Sequence, residues 1–278
     1  MRLGHALRPY VAVVSARFRV LLQYRAAAIA GLSTQIFFGL VLIMIYEAFY
    51  RSSPAAVQPM TFGQLASYVW LGQALLATLP WNVDGEIKAL IRSGAVAYEL
   101  CRPIDLYGLW LARAAAHRTA PAILRAAPLA GFATLVLPLL GLGAWRLAAP
   151  ASVAAGAGFA VALVGALVLG CAISTLINIT LMWTVAGEGI VMLATTAVSL
   201  LSGVIIPLPL LPDWSQVVVR WLPFAGLFDL PFRIYTGHIA PGGLALVLVR
   251  QLGWTIAIIW FGRWLLRRGM RRIVVQGG

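Results

Sequence analysis

Charge is what this chain of 278 residues has least of: 10% of it is Asp, Glu, Lys or Arg, against 62% hydrophobic residues. So little polar surface cannot clothe a water-soluble domain of this size. Lysine occurs once, as Lys88 between Ile87 and Ala89, so the chain has no Gly-Lys-Ser/Thr loop with which to hold a nucleotide phosphate. The three histidines, His5, His117 and His238, lack metal-ligand spacing, and no Ser/His/Asp set or nucleophile elbow occurs. The two cysteines, Cys101 and Cys171, provide no disulfide framework. Of the eight acids, Glu47 and Glu188 stand at the ends of apolar runs, which leaves the spans without the mid-membrane carboxylates of a self-sufficient ion-coupled carrier. ATP hydrolysis, metal chemistry and hydrolytic catalysis are therefore not expected on this chain, and neither is a cofactor.

What the chain does have is long apolar runs. Ala26 to Tyr46 is uncharged, as is everything from Leu147 to Gly187. Runs of about 20 residues match the hydrocarbon thickness of a bilayer. The pattern predicts an all-α polytopic membrane protein forming one domain, 1–278, with six spans at about 26–46, 62–80, 121–141, 151–177, 189–208 and 244–264. Residues 5–25, with arginines set around an apolar face, predict an amphipathic helix lying on the membrane. Residues 106–125 carry Arg113, His117, Arg118 and Arg125 and are read as helix near the headgroups that climbs into the third span. The aromatic- and proline-rich stretch 207–240 reads as short re-entrant helices in the outer leaflet. Arg250, inside the sixth span, is expected to snorkel or to pair with Glu47 or Asp229.

The net charge of +13 could suggest nucleic acid, but the basic residues cluster beside the apolar runs, which suits lipid headgroups better. Sixteen of the 21 Lys and Arg lie in 1–25, 80–125 and 263–278. By the positive-inside rule this places both termini and the 80–105 segment in the cytoplasm.

That segment, PWNVDGEIKALIRSGAVAYELCRPID, holds four of the eight acids and the single lysine. Asp84 is placed to cap a helix, with Glu86 in its first turn, Ile87, Leu90 and Ile91 on one face, Lys88 and Arg92 elsewhere, and Gly94 as its stop. A second short turn carrying Glu99 ends at Arg102 and Pro103. An ordinary interfacial loop helix fits this pattern, and so does a docking element for a cytoplasmic partner. In the fourth span Gly158, Ala162, Ala166, Gly170 and Ser174 recur every four residues, a stripe that lets another helix approach closely.

The whole layout resembles the permease subunits of ABC-2 type transporters, and within the loop Gly94, Leu100, Arg102 and Pro103 fall on that family's glycine followed by Leu-x-Arg-Pro. The stretch WNVDGEIKALIRSGAVAYELCRPID is similar to a bacterial subgroup that includes drug and viologen exporters and pairs two different permeases with one kind of ATPase. The resemblance implies a multi-pass protein of the bacterial cytoplasmic membrane. It further implies a substrate path shared with a second, different permease, and two ATPase subunits that carry ATP and Mg. Asp84, Glu86, Ile87, Lys88, Leu90, Ile91, Arg92, Gly94, Glu99, Arg102 and Pro103 would then couple to those ATPases. Gln35, Trp70, Gln73, Asn178 and Trp183 are path candidates, although polar groups in spans often only bond neighbouring helices. The substrate would be a lipophilic cation, a lipid or a lipid-linked glycan. Competing readings are a carrier that works without an ATPase and a membrane scaffold or enzyme acting on lipids.

Overall fold

The computed structural model describes residues 2–23, 25–52, 58–183 and 188–271, without the side chains of 2–7, 21, 25–29 and 188. The described residues form helices, with no strand among them. In chain order these are α1 (Arg2–Gln23), α2 (Arg25–Ser52), α3 (Phe62–Leu75), α4 (Gly85–Arg92) and α5 (Val96–Leu100). After them come α6 (Leu106–Leu139), α7 (Val153–Thr180), α8 (Glu188–Leu201), α9 (Asp213–Trp221), α10 (Asp229–Tyr235) and α11 (Leu244–Met270).

Among the described residues four helices are long and apolar enough to cross a membrane: Ala30–Ser52, Leu106–Leu139, Val153–Thr180 and Pro241–Met270. The stretches expected as the second and fifth spans are shorter. α3 has 14 helical residues, lengthened by a 3₁₀ turn over Leu76–Thr78, and α8 also has 14. Each α-helical part rises only about 21 Å, less than a bilayer core of about 30 Å. α3 is buried continuously from Leu65 to Leu75, so its surroundings are other helices and lipid thickness does not fix its length. α8 ends at Leu201 instead of running on to residue 208, because the backbone turns at Gly203 with φ +88°.

α6 joins the 106–125 stretch, read as helix near the headgroups, and the third span expected at 121–141 in one continuous helix, which runs through Pro121 and Pro128 before loosening into a π turn at Phe132–Val136. The wider turn provides the slack that an intrahelical proline requires. Arg113 and Arg118 are 5% and 4% exposed, so they face protein instead of the headgroup zone expected for them. α1 lies along α6.

α7 is the spine against which α11 and α10 pack. Its stripe of Gly158, Ala162, Ala166, Gly170 and Ser174 is buried throughout. Several elements share it. Gly158 abuts Ile234 and Leu244, the Ala162 carbonyl accepts from Gln251 Nε2 at 2.9 Å, and Gly170 faces the Thr78 carbonyl. One core runs through the bundle around Trp70, Leu79, Leu129, Leu169, Phe228 and Phe232.

Beyond the loop-distal end of α3, α9 and α10 flank a 3₁₀ turn at Pro223–Gly226 in the region read as re-entrant. Buried Asp229 accepts from Tyr68 Oη at 3.1 Å, pairs with Arg233 at 3.5 Å, and through its N–H bonds the Ser202 carbonyl. This knot ties α3, α8 and α10 together. Arg250 does not reach Glu47 or Asp229: its guanidinium lies 5.6 Å above the Trp221 ring, while Glu47 takes Arg51 and Trp145.

Gly203 is the tight point of that knot, because an added Cβ would stand 2.3 Å from Tyr68 Oη as well as straining a positive φ. Gly203→Ala is expected to cost roughly 1–3 kcal/mol and to lower the thermal unfolding midpoint in detergent. Gly131→Ala, where a Cβ meets nothing within 4 Å on a helix, is expected to leave that midpoint unchanged or to raise it.

Candidate functional site

The polar loop between α3 and α6 is held together by one arginine. Asp84 caps α4, its Oδ1 accepting from the Glu86 and Ile87 N–H groups at 2.9 and 3.3 Å. Glu86 follows in the first turn, where a carboxylate suits the positive end of the helix dipole. Gly94, at φ +73°, reverses the chain after α4, and α5 then carries Glu99 back beneath it. All three carboxylates converge on Arg113 of α6: Glu86 at 2.5 Å, Glu99 at 3.0 Å and Asp84 at 3.5 Å. Glu99 is 7% exposed and also accepts from Trp110 Nε1 at 2.9 Å. Arg17 of α1 adds a second cation, bonded to Glu86 and 3.9 Å from Asp84.

Apolar contacts seat the loop on the same helix. Ile87 is fully buried in a cluster with Val96, Leu106, Tyr107, Trp110, Ile179 and Leu266, and Leu90 and Ile91 pack at its edge. Fully burying one such aliphatic side chain is worth about 1.5–3 kcal/mol. The entry and exit of the loop are pinned as well. Asn178, near the end of α7, accepts from the Asp84 N–H at 3.1 Å. Asp105 caps α6 through the Gly108 N–H at 2.9 Å and takes Arg263 of α11 at 3.1 Å, while its own N–H reaches Tyr10 of α1. The loop therefore moves with α1, α6, α7 and α11, and α6 contributes the central charge.

The residues singled out from the sequence divide into two groups. Glu99, Ile87 and Asp84 face inward and hold the loop in place; Glu86 straddles, bonded to both arginines with its side chain 67% exposed. Facing outward are Arg92, Arg102, Pro103, Tyr98 at 78% exposure and Leu100. Lys88 is half-buried. Between α1 and α4 lies a groove of about 700 Å³ lined by Val13, Arg17, Ala89, Leu90, Arg102 and Arg113.

Among the path candidates, Trp70 is spent on a 2.7 Å bond to the Trp145 carbonyl and Asn178 on the loop. Gln73 is buried in α3, and Trp183 sits beside Gly269. Gln35 lines a separate cavity with Arg118 and Arg125. Of the five, Gln35 alone lines that cavity.

Arg113, Arg17 and Trp110 were not among the residues assigned to the loop from the sequence; both arginines were read as headgroup cations. The available signal was charge balance: a loop with four acids and three cations of its own, docked on apolar helices, needs cations from outside itself. Breaking a buried ion pair by removing one partner costs about 3–5 kcal/mol, because the other charge stays buried. Arg113→Ala should lower the unfolding midpoint by a corresponding amount and open the 84–105 segment to limited proteolysis. Arg113→Lys should restore stability only in part, since one ammonium cannot fork to three carboxylates.

A family model described as ABC-2 family transporter protein matches residues 39–277, which include the loop and all four long helices except the start of α2. No curated protein and no solved structure matches the chain. The family match spans far more than half of the sequence, and with it the polar loop and apolar bundle acquire an identity: the chain belongs to the ABC-2 family of transporter proteins.

Proposed function

We propose that this multi-pass protein is the membrane-spanning permease of an ATP-driven exporter of the bacterial cytoplasmic membrane, coupled through its α4–α5 loop to ATPase subunits. ATP and Mg belong to those subunits. Two copies dock beneath a pair of permeases, the second being a different chain, and the six-span path puts the loop and both termini on the cytoplasmic side. The bulk charge supports that orientation, as does the clustering of Arg17, Arg263 and the loop at one end of the bundle.

The single observation that carries the reading is the buried convergence of Asp84, Glu86 and Glu99 on Arg113. A loop that only joins two spans has no need to be bolted to a buried arginine two turns inside the helix that follows it. A loop that transmits a push does, because force applied at α4 must reach a spanning element without being absorbed by loop bending. Outward-facing Arg92, Tyr98, Leu100 and Arg102 are the docking groups, and the groove between α1 and α4 offers the concave side. The cargo is a lipophilic compound that enters between apolar helices; a lipid or lipid-linked glycan fits the same route.

Purification of the full chain from its native membrane in mild detergent, followed by mass spectrometry, tests the reading. A P-loop ATPase is expected to accompany it, together with a second permease of the same family. Arg92→Glu combined with Arg102→Glu should reduce ATPase recovery at least about tenfold, with the unfolding midpoint recorded alongside to separate lost docking from lost stability. Recovery of the chain without any ATPase, under conditions that keep other transporter complexes whole, would move the assignment to a self-sufficient carrier.

A further inference from the structure

Beside the α4–α5 loop, between α2, the end of α3 and α6, lies a cavity of about 500 Å³ whose polar lining is Gln35, Asn82, His117, Arg118 and Arg125. Its chemistry is the reverse of the Arg113 site. There, one guanidinium meets three carboxylates; here, two guanidiniums and an imidazole meet none. Arg118 is 4% exposed, spends one nitrogen on the Leu79 carbonyl and leaves Nε unbonded. Arg125 Nε is likewise unbonded, and no carboxylate pairs with either arginine among the described residues. Asp84 and Glu86, the acids of the adjoining loop, are already held by Arg17 and Arg113.

Gln35 makes the case sharper. It is 4% exposed, and neither its Oε1 nor its Nε2 has a hydrogen-bond partner. A buried amide with both ends idle is rare in a folded core and calls for a missing partner. At Gly31 of α2 an added Cβ would lie 2.5 Å from Arg125 Cζ, so the guanidinium lies across the helix where a side chain at that position would push it aside. Arg118 is buried without a carboxylate partner and Arg125 half-buried without one, and an unpaired buried cation is costly to maintain. A forked guanidinium matches a phosphate or carboxylate, and an amide N–H₂ can add a donor to the same oxyanion. Leu76, Trp81 and Pro121 supply apolar walls next to the charges.

We infer that this cavity binds an oxyanion of the phosphate or carboxylate type, with Arg118, Arg125 and Gln35 as its ligands. As a cargo or regulatory-lipid site it rests on the permease reading, and it narrows the cargo, since a lipophilic cation would be repelled here. The anion comes either as the headgroup of an amphiphile whose tail lies along the apolar walls or as a free anion.

The full chain, held in phosphatidylcholine nanodiscs, separates these cases by native mass spectrometry and thermal unfolding with lysophosphatidic acid, lysophosphatidylcholine and inorganic phosphate as probes. Lysophosphatidic acid should bind about tenfold tighter than lysophosphatidylcholine, and Arg125→Gln and Gln35→Leu should each remove most of that preference. Binding of lysophosphatidic acid alone assigns the anion to a headgroup. Binding of inorganic phosphate with the same sensitivity to both variants assigns it to a free source. Equal binding of the two lysolipids, or a Gln35→Leu protein that is more stable yet binds unchanged, overturns the site and leaves Gln35 a packing residue. No ATPase is present in this assay, so its failure is separate from failure of the copurification.

Discussion

A buried guanidinium surrounded by carboxylates is the constraint on which the loop end of this molecule depends. Arg113 draws Asp84, Glu86 and Glu99 from two short helices onto a third, long one. Without it, three negative groups would crowd one another at an apolar surface, and only the burial of Ile87 and the turn at Gly94 would be left to set α4 against that repulsion.

 The apolar cluster around Trp110 and Tyr107 then adds burial to a geometry that the charges have already set. Because the guanidinium is planar and five-fold donating, it fixes direction as well as distance, which an ammonium could not do.

The same helix carries a second and opposite electrostatic design one to three turns further on. Arg118 and Arg125 stand at a cavity without acids, close to a glutamine with no partner. One helix thus holds a cation that is fully answered by the chain itself and two that are not. That contrast argues that α6 connects the place where a soluble partner would push to the place where an anionic group would sit. At the other end of the bundle, the Tyr68–Asp229–Arg233 knot and the bond from Trp70 to Trp145 keep α3 fixed, so motion entering at the loop has a rigid frame to work against.

Much of this was legible in the residues. Asp84, Glu86 and Gly94 announced the start and stop of α4 because capping and positive-φ turns are local effects, written within a few residues. The four-residue stripe on α7 was legible for the same reason, though the identity of its partners was not, since α10, α11 and the end of α3 are far away in sequence. The surroundings of Arg113 and Arg118 were misread, because arginines beside an apolar run were taken to mark the headgroup zone. The acids that neutralise Arg113 lie 14 to 29 residues upstream, from Glu99 back to Asp84, and a pattern read along the chain cannot place them across a helix. The shortness of α3 and α8 was hidden for a related reason. An apolar run reports that a segment avoids water, and it does not distinguish lipid from protein as the neighbour.

The most direct measurement uses spin labels at Tyr98→Cys on the loop and Ile123→Cys on α6, both exposed positions, in a chain whose Cys101 and Cys171 have been replaced by serine. Pulsed electron paramagnetic resonance would record the distance between them in the complex with its ATPases, with ADP and with a trapped ATP analogue. A loop bolted to α6 through Arg113 predicts one distance in both nucleotide states, because the two elements travel together. A distance that changes with nucleotide, in a complex whose ATPases do close, would contradict the rigid junction.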